Sequence, residues 1–185
     1  MQKLEAINQM RIAAQMSGIN TLSGTLSQET LDAITILEKV SKEVLSDGYD
    51  INTSKEYKLV PDINGFIILP TSIIDLQINN PYSKEYVIRN GKLYNLTDET
   101  YTITRTNLEA TIIFDIDFEY LPYPIANYIV KRAATEFIDQ QLADNDLTQK
   151  AQIREAMAYR TFKKSITFRK NPNMLNYIAS RRSIL

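Results

Sequence analysis

The chain has 185 residues, of which 44% are hydrophobic and 23% charged, so it can form one domain or two small ones around a buried core. It contains neither cysteine nor histidine, which excludes disulfides, thiolate nucleophiles, metal sites built on these residues and any catalytic triad that relies on them. The net charge of -1 conceals an asymmetry, because residues 150–185 contain nine basic residues and one acidic residue while the remainder is acidic.

This basic end of the chain indicates an interaction arm. Its partner could be nucleic acid, the acidic surface of another protein, or a second copy of the same chain. The alternative is a solvated helix face with a frayed end. The N-terminal residues lack the apolar run of a signal peptide, and no stretch approaches the roughly 20 apolar residues that span a membrane. We therefore expect synthesis and folding in a cytoplasm.

Two helices are predicted at the start of the chain. Apolar residues recur at steps of three and four over residues 4–14 and again over residues 31–44. Gly18 is predicted to follow the first helix at the position that favours glycine, and Gly48 to end the second. Ser27 is predicted to cap the N-terminus of the second helix.

Residues 53–120 change to an alternating pattern rich in threonine, tyrosine and isoleucine, which predicts a small antiparallel β-domain. One hairpin is predicted around residues 61–65. A second is predicted over residues 86–95, because Asn90 and Gly91 tolerate the positive φ angles that a type I′ turn requires. Residues 99–106 and 110–120 are predicted to continue as strands.

Two further helices are predicted after residue 120. The first begins near Pro124 and turns one apolar face inward: Ile125, Tyr128, Ile129, Ala133 and Phe137. The second begins after Asp146, its predicted N-cap, and has these predicted inward residues: Leu147, Ile153, Met157 and Phe162.

The predicted fold class is therefore α+β. Residues 1–52 and 121–170 are expected to form a four-helix bundle, into which the antiparallel β-domain of residues 53–120 is inserted. Residues 171–185 are expected to form a loop and a basic tail, because an Asn-Pro-Asn sequence breaks any helix there.

Three acidic residues offer the best case for a catalytic or metal site. Asp115, Asp117 and Glu119 alternate with apolar residues, so on a strand their carboxylates would share one face. Such a row could bind a hard cation, or supply the acid and base of a polysaccharide hydrolase. We favour the alternative, an exposed strand face whose charges prevent edge-to-edge pairing. No cofactor and no small-molecule substrate is expected.

Five segments, in order, resemble the tail tubular protein A family of short-tailed, podovirus-type bacteriophages. They are LEAINQMRIAAQMSGINTL (residues 4–22), ILEKVSKEVLSDGYDINTSKEYKLVPDINGFIILP (36–70), YVIRNGKLYNLTDETY (86–101), FEYLPYPIANYIVKRAATEFIDQ (118–140) and NMLNY (173–177). The resemblance spans nearly the whole chain. The chain departs from the family pattern where Tyr49 replaces a tryptophan and Asn90 replaces the first glycine of a pair.

The resemblance implies a structural virion protein, a dodecameric ring that connects the capsid portal to the tail nozzle. Viral DNA would pass through the ring without specific binding. We expect the basic residues to contact the portal or a neighbouring subunit: Lys163, Lys164, Arg169, Lys170, Arg181 and Arg182. Arg89 and Lys92, which flank the predicted turn, are further candidate contacts. The rival interpretation is a nucleic-acid-binding module. Its contacts to nucleic acid would be Lys163, Lys164, Arg169 and Lys170.

Overall fold

A computed structural model of the chain describes residues 1–79, 81–142 and 144–170. The described residues form four helices, Lys3–Ala13 (α1), Gln28–Ser46 (α2), Tyr123–Leu142 (α3) and Asn145–Lys170 (α4), and a short 3₁₀ helix, Phe118–Tyr120. The strands are Thr53–Leu59 (β1), Ile73–Ile78 (β2), Tyr86–Arg89 (β3), Lys92–Asn95 (β4) and Leu108–Phe114 (β5). Four helices with small antiparallel sheets confirm the α+β class.

The chain divides into two units. The helical unit comprises Met1–Val40 and the chain from Phe118 onward, and the sheet unit comprises Ser41–Asp117. The final turns of α2 therefore belong to the sheet unit.

The core of the helical unit is built around α3. This helix packs against both α1 and α4, and its predicted inward face is confirmed, because these residues are buried: Ile125, Tyr128, Ile129, Ala133 and Phe137. Polar contacts tie α2 to the same helix. Lys39 Nζ lies 2.7 Å from Glu136 Oε1, and Gln141 Nε2 donates to Asp32 Oδ2 at 2.8 Å.

The first helix ends earlier than predicted. It stops at Ala13, and Gln15, rather than Gly18, adopts the left-handed conformation, with φ of 59°. Met16 N donates to Arg11 O at 2.8 Å, which is the bond that closes a Schellman motif. The glycine prediction was wrong because a glutamine occupies the position that usually takes glycine.

The predicted start and end of the second helix are confirmed. It begins directly after Ser27, whose carbonyl accepts hydrogen bonds from the amides of Thr30 and Leu31. Gly48 follows its end with φ of +70°. One residue of the predicted apolar stripe is exposed, however, since Leu31 lies on the solvent side of α2.

The sheet unit contains one three-stranded antiparallel sheet with the order β1-β5-β2. Its buried core draws on all five strands and on the segments that follow β1 and β4: Leu59, Ile67, Leu69, Ile78, Tyr86, Leu93, Ile103, Leu108, Ala110 and Ile112. The hairpin predicted around residues 61–65 is wrong, because β1 pairs with β5 instead. A tight turn does form there, since Asp62 N donates to Phe66 O at 2.8 Å.

The second predicted hairpin is confirmed. Strands β3 and β4 pair antiparallel from Tyr86 opposite Asn95 to Arg89 opposite Lys92. Asn90 and Gly91 form the turn with φ of 52° and 69°, as a type I′ turn requires.

Of two further predicted strands, one does not form and the other ends early. Residues 99–106 form only a single bridge, at Thr100, and no strand. Strand β5 ends at Phe114, and Phe118 begins the 3₁₀ helix, so the acidic row does not lie on one strand. The strand ends beside the first residues of both partner strands, and its last backbone bonds run from Phe114 N to Asn52 O at 2.8 Å and from Asp115 N to Ser72 O at 2.7 Å.

The N-terminus of the fourth helix is capped by Asp144, not by Asp146 as predicted. Asp144 Oδ1 accepts hydrogen bonds from Asp146 N at 2.9 Å and Leu147 N at 3.0 Å. Asp146 is instead the acidic residue of the first turn, where the helix dipole favours a negative charge.

Replacing Asp144 by alanine is expected to destabilise the helical unit by about 1 kcal/mol, because two amides of the first turn of α4 lose their acceptor. Thermal unfolding followed by circular dichroism measures the change. The Asp146→Asn variant serves as the control and should cost less, because it removes only a dipole interaction of about 0.5 kcal/mol. An equal loss in both variants would contradict the assignment of Asp144 as the cap.

Candidate interaction site

The packing of α4 on α3 decides which face of α4 meets solvent. Ala151, Ala158 and Phe162 are buried, and the Phe162 ring stacks on Tyr128 with centroids 5.5 Å apart and an interplanar angle of 11°. Tyr128 also contacts Tyr159 at 5.2 Å between centroids. These contacts fix the rotation of α4 about its axis, and the opposite face is therefore exposed.

The exposed face of α4 is strongly cationic. Its exposed basic side chains are Lys150, Arg154, Arg160, Lys163 and Lys164. Lys163 Nζ lies 5.2 Å from the centroid of the Tyr159 ring. Within the described part of the chain, Arg154, Arg160 and Lys164 form no hydrogen bond or ion pair. These charges are available to a partner.

Two large apolar side chains interrupt this cationic face. Ile153 is 54% exposed and Met157 is 61% exposed, although the sequence pattern predicted both to lie inward. They are four residues apart and so lie on the same side of the helix. Apolar groups mixed with charges are typical of a surface that contacts protein, whereas phosphate contacts require only the charges.

A groove between α1, α3 and α4 opens beside the same face. It has a volume of about 440 Å³ and is lined by Gln9, Ile12, Ala13, Lys131, Ala134, Ala151 and Arg154. We call it the α1–α4 groove. Lys131 Nζ donates to Gln9 Oε1 at 2.9 Å. Burial, together with the nearby Arg154 charge, lowers the pKa of Lys131. The groove therefore combines small apolar side chains with two cations that repel each other.

The sequence-predicted basic residues are only partly described. Lys163 and Lys164 lie on the exposed face of α4. Arg169 and Lys170 lie in the last turn of that helix, and their side chains are outside the described residues. Arg181 and Arg182 also lie outside the described residues. Arg154 and Arg160, which belong to the same face, were not singled out from the sequence, although helical spacing from Lys150 and Lys164 indicates them.

Arg89 and Lys92, the candidate contacts that flank the hairpin turn, both pack on aromatic rings of the sheet unit. The Arg89 guanidinium carbon lies 4.2 Å from the centroid of the Tyr94 ring, and Tyr94 makes an edge contact with Tyr101 at 4.9 Å. Lys92 Nζ lies 4.5 Å from the centroid of the Phe66 ring. Both cations thus rest on aromatic faces, which stabilises the hairpin and presents a fixed charge pattern.

The acidic residues proposed as a catalytic or metal site have separate surroundings. Asp115 Oδ2 lies 3.7 Å from Lys42 Nζ, and Glu119 Oε1 accepts a hydrogen bond from Lys3 N at 2.9 Å. Among the described residues, no group of three or more carboxylates is arranged to hold a metal ion. The same part of the chain contains no helix that is both long and apolar enough to cross a membrane.

The chain matches a known protein family. The sequence model of a family described as Tube, tail tubular protein, matches residues 4–169. No individual curated protein matches the chain.

Proposed function

The chain belongs to the tail tubular protein family and is a structural component of a bacteriophage tail, and from this premise we propose that it is a ring-forming adaptor between the capsid portal and the tail nozzle. In this proposal the ring, a dodecamer, forms part of the channel through which viral DNA leaves the capsid. The protein has no catalytic role and requires no cofactor.

The exposed face of α4 is the observation that supports this proposal best. It presents cations together with Ile153 and Met157, a combination suited to a protein neighbour. A closed ring needs head-to-tail contacts between two different surfaces of each subunit. An acidic body and a basic C-terminal segment provide opposite charges for such contacts.

Each unit has a proposed task. The four helices form a bundle that packs side by side around the ring, and the basic residues of α4 and the C-terminal segment contact the portal or a neighbouring subunit. The sheet unit faces the nozzle or the periphery, where Arg89 and Lys92 are contacts. DNA passes without specific binding, because many phosphate contacts would hold it in the channel.

Assembly with the portal tests the proposal. We expect the full chain mixed with portal protein to form a complex whose mass, measured by native mass spectrometry, corresponds to a ring on the portal. A chain that ends at Lys170 should bind portal more weakly, because it lacks Arg181 and Arg182. A full chain that stays monomeric beside the portal would refute the adaptor role, whereas equal binding by both lengths would refute only the role of the C-terminal segment.

A further inference from the structure

Two tyrosines near the start of α3 are unusually exposed for aromatic side chains. Tyr120 is 82% exposed and Tyr123 is 64% exposed, whereas Leu121 between them is buried. The backbone that presents them is fixed, because Leu121 N donates to Phe118 O at 3.2 Å and Glu119 is bonded to the amide of Lys3. Tyrosines on a rigid support are frequent interface anchors, since they bury a large area and lose little side-chain entropy.

The α1–α4 groove is chemically complementary to these tyrosines and to the adjacent Glu119. Ala134 and Ala151 leave room against which an aromatic ring can pack, and Ile12 adds an apolar wall. Arg154 can lie over an aromatic face, and both Arg154 and Lys131 attract a carboxylate. A carboxylate placed there would offset the repulsion between Lys131 and Arg154 and favour the charged form of Lys131, whose pKa is lowered by burial and by the Arg154 charge.

The two features lie at opposite ends of α1. The hydrogen bond from Lys3 to Glu119 places the 3₁₀ helix beside the first turn of α1, whereas Ile12 brings the groove to its last turn. The groove meets α1 from Gln9 to Ala13, so its nearest residue lies six residues from Lys3, a distance of about 9 Å along the helix. The two features therefore form different surfaces of the same unit.

We propose that Tyr120 and Tyr123 of one copy of this chain dock in the α1–α4 groove of a neighbouring copy. This proposal depends on the ring proposed above, in which the contact is the head-to-tail interface between neighbouring subunits. In it, the aromatic rings pack on Ala134 and Ala151, and the Glu119 carboxylate approaches the two cations of the neighbour.

A second copy fits the groove better than other occupants for two reasons. The charge of the docking segment is opposite to that of the groove, and both features belong to one unit, so the same contact can repeat from copy to copy. A surface that pairs with a different surface of an identical subunit closes into a ring when the rotation permits.

Thiol cross-linking tests the contact in the full chain assembled with portal. The natural sequence has no cysteine, so a variant with Asn127→Cys and Lys150→Cys carries only the two chosen thiols. Asn127 lies one helical turn from Tyr123, and Lys150 lies one turn from Arg154, so both docking residues are kept. Asn127 is half-buried and Lys150 is exposed, and the fold should tolerate both changes. With a short thiol-reactive cross-linker we expect a ladder of covalent dimers, trimers and larger products on a denaturing gel. Each single variant should give no ladder, because like positions do not face each other in a head-to-tail contact.

The matched control pairs Asn127→Cys with Thr35→Cys, an exposed position on α2. A ring of normal mass without a ladder, or an equal ladder from the control pair, overturns the docking proposal and leaves the adaptor function intact. If the unaltered chain forms no ring with portal, the adaptor function fails, and the docking proposal fails with it.

Discussion

Replacing Asn52 by alanine is expected to lower the free energy of unfolding of the sheet unit by about 3 kcal/mol. The Asn52 side chain is buried, and its Nδ2 donates to Leu45 O at 2.9 Å and to Phe114 O at 3.0 Å. Its Oδ1 accepts from Tyr49 N at 2.8 Å. Truncation leaves Tyr49 N without its acceptor and removes the side-chain donor to Phe114 O and Leu45 O, although Leu45 O also accepts from Gly48 N at 3.1 Å. Each unpaired buried group costs about 1–3 kcal/mol.

Urea unfolding followed by circular dichroism measures this loss as a lower midpoint. The control is Asn64→Ala, because Asn64 is exposed and its side chain forms no hydrogen bond with the described residues. The control should change stability by less than about 0.5 kcal/mol. Equal midpoints for the two variants would show that the Asn52 bonds contribute little.

An Asn52→Asp variant adds a test that depends on pH. Its carboxylate would face the two carbonyl oxygens in place of an amide donor, so burial and repulsion would raise its pKa in the folded state. The folded variant would then bind a proton more tightly than the unfolded chain. Relative to the natural protein, it should be most stable below the unfolded pKa of about 3.9 and lose stability as pH rises through the higher folded value. A difference independent of pH would contradict the proposed geometry.

Local sequence signals predicted the elements that depend on local chemistry. Asn90 and Gly91 specify the hairpin, because few residue pairs tolerate two consecutive positive φ angles. The inward face of α3 was predicted correctly because one apolar stripe runs along that helix at a regular spacing.

The sequence-based predictions failed where contacts between residues far apart in the sequence determine the local structure. The chain after α1 turns early because the Asn8 side chain pairs with both backbone groups of Ile19, at 2.9 Å and 2.8 Å. A sequence pattern does not indicate that pairing. Strand β5 ends beside the first residues of its partner strands β1 and β2, where its last backbone bonds reach Asn52 and Ser72. Neither position lies near it in the sequence.

The apolar part of the exposed face of α4 was missed for a related reason. Apolar residues occur on several sides of this helix, so periodicity alone does not select the buried one. The selection comes from α3, whose Tyr128 ring stacks on Phe162 and turns Ile153 and Met157 outward. These two apolar residues were consequently predicted as core, whereas Lys163 and Lys164 on the same face were predicted as contacts.

Reversing two charges on α4 is expected to weaken association with the portal or with neighbouring subunits by about 10- to 100-fold at roughly 0.1 M salt. The variant is Arg160→Glu with Lys164→Glu. Both side chains are exposed, and neither has a hydrogen bond or ion pair with the described residues, so folding should be unaffected. Sedimentation with portal protein measures the loss.

The matched control is Lys55→Glu with Lys84→Glu, two exposed lysines of the sheet unit that produce the same change in net charge. The control should assemble normally if the position of the charges matters and not their sum. Binding to duplex DNA, measured for both variants at low and moderate salt, separates the rival function. A nucleic-acid-binding module would lose DNA affinity in the α4 variant alone, with a reduced salt dependence and unchanged portal association. A structural adaptor requires the opposite result, because its cationic face acts on protein carboxylates while the DNA passes through the ring.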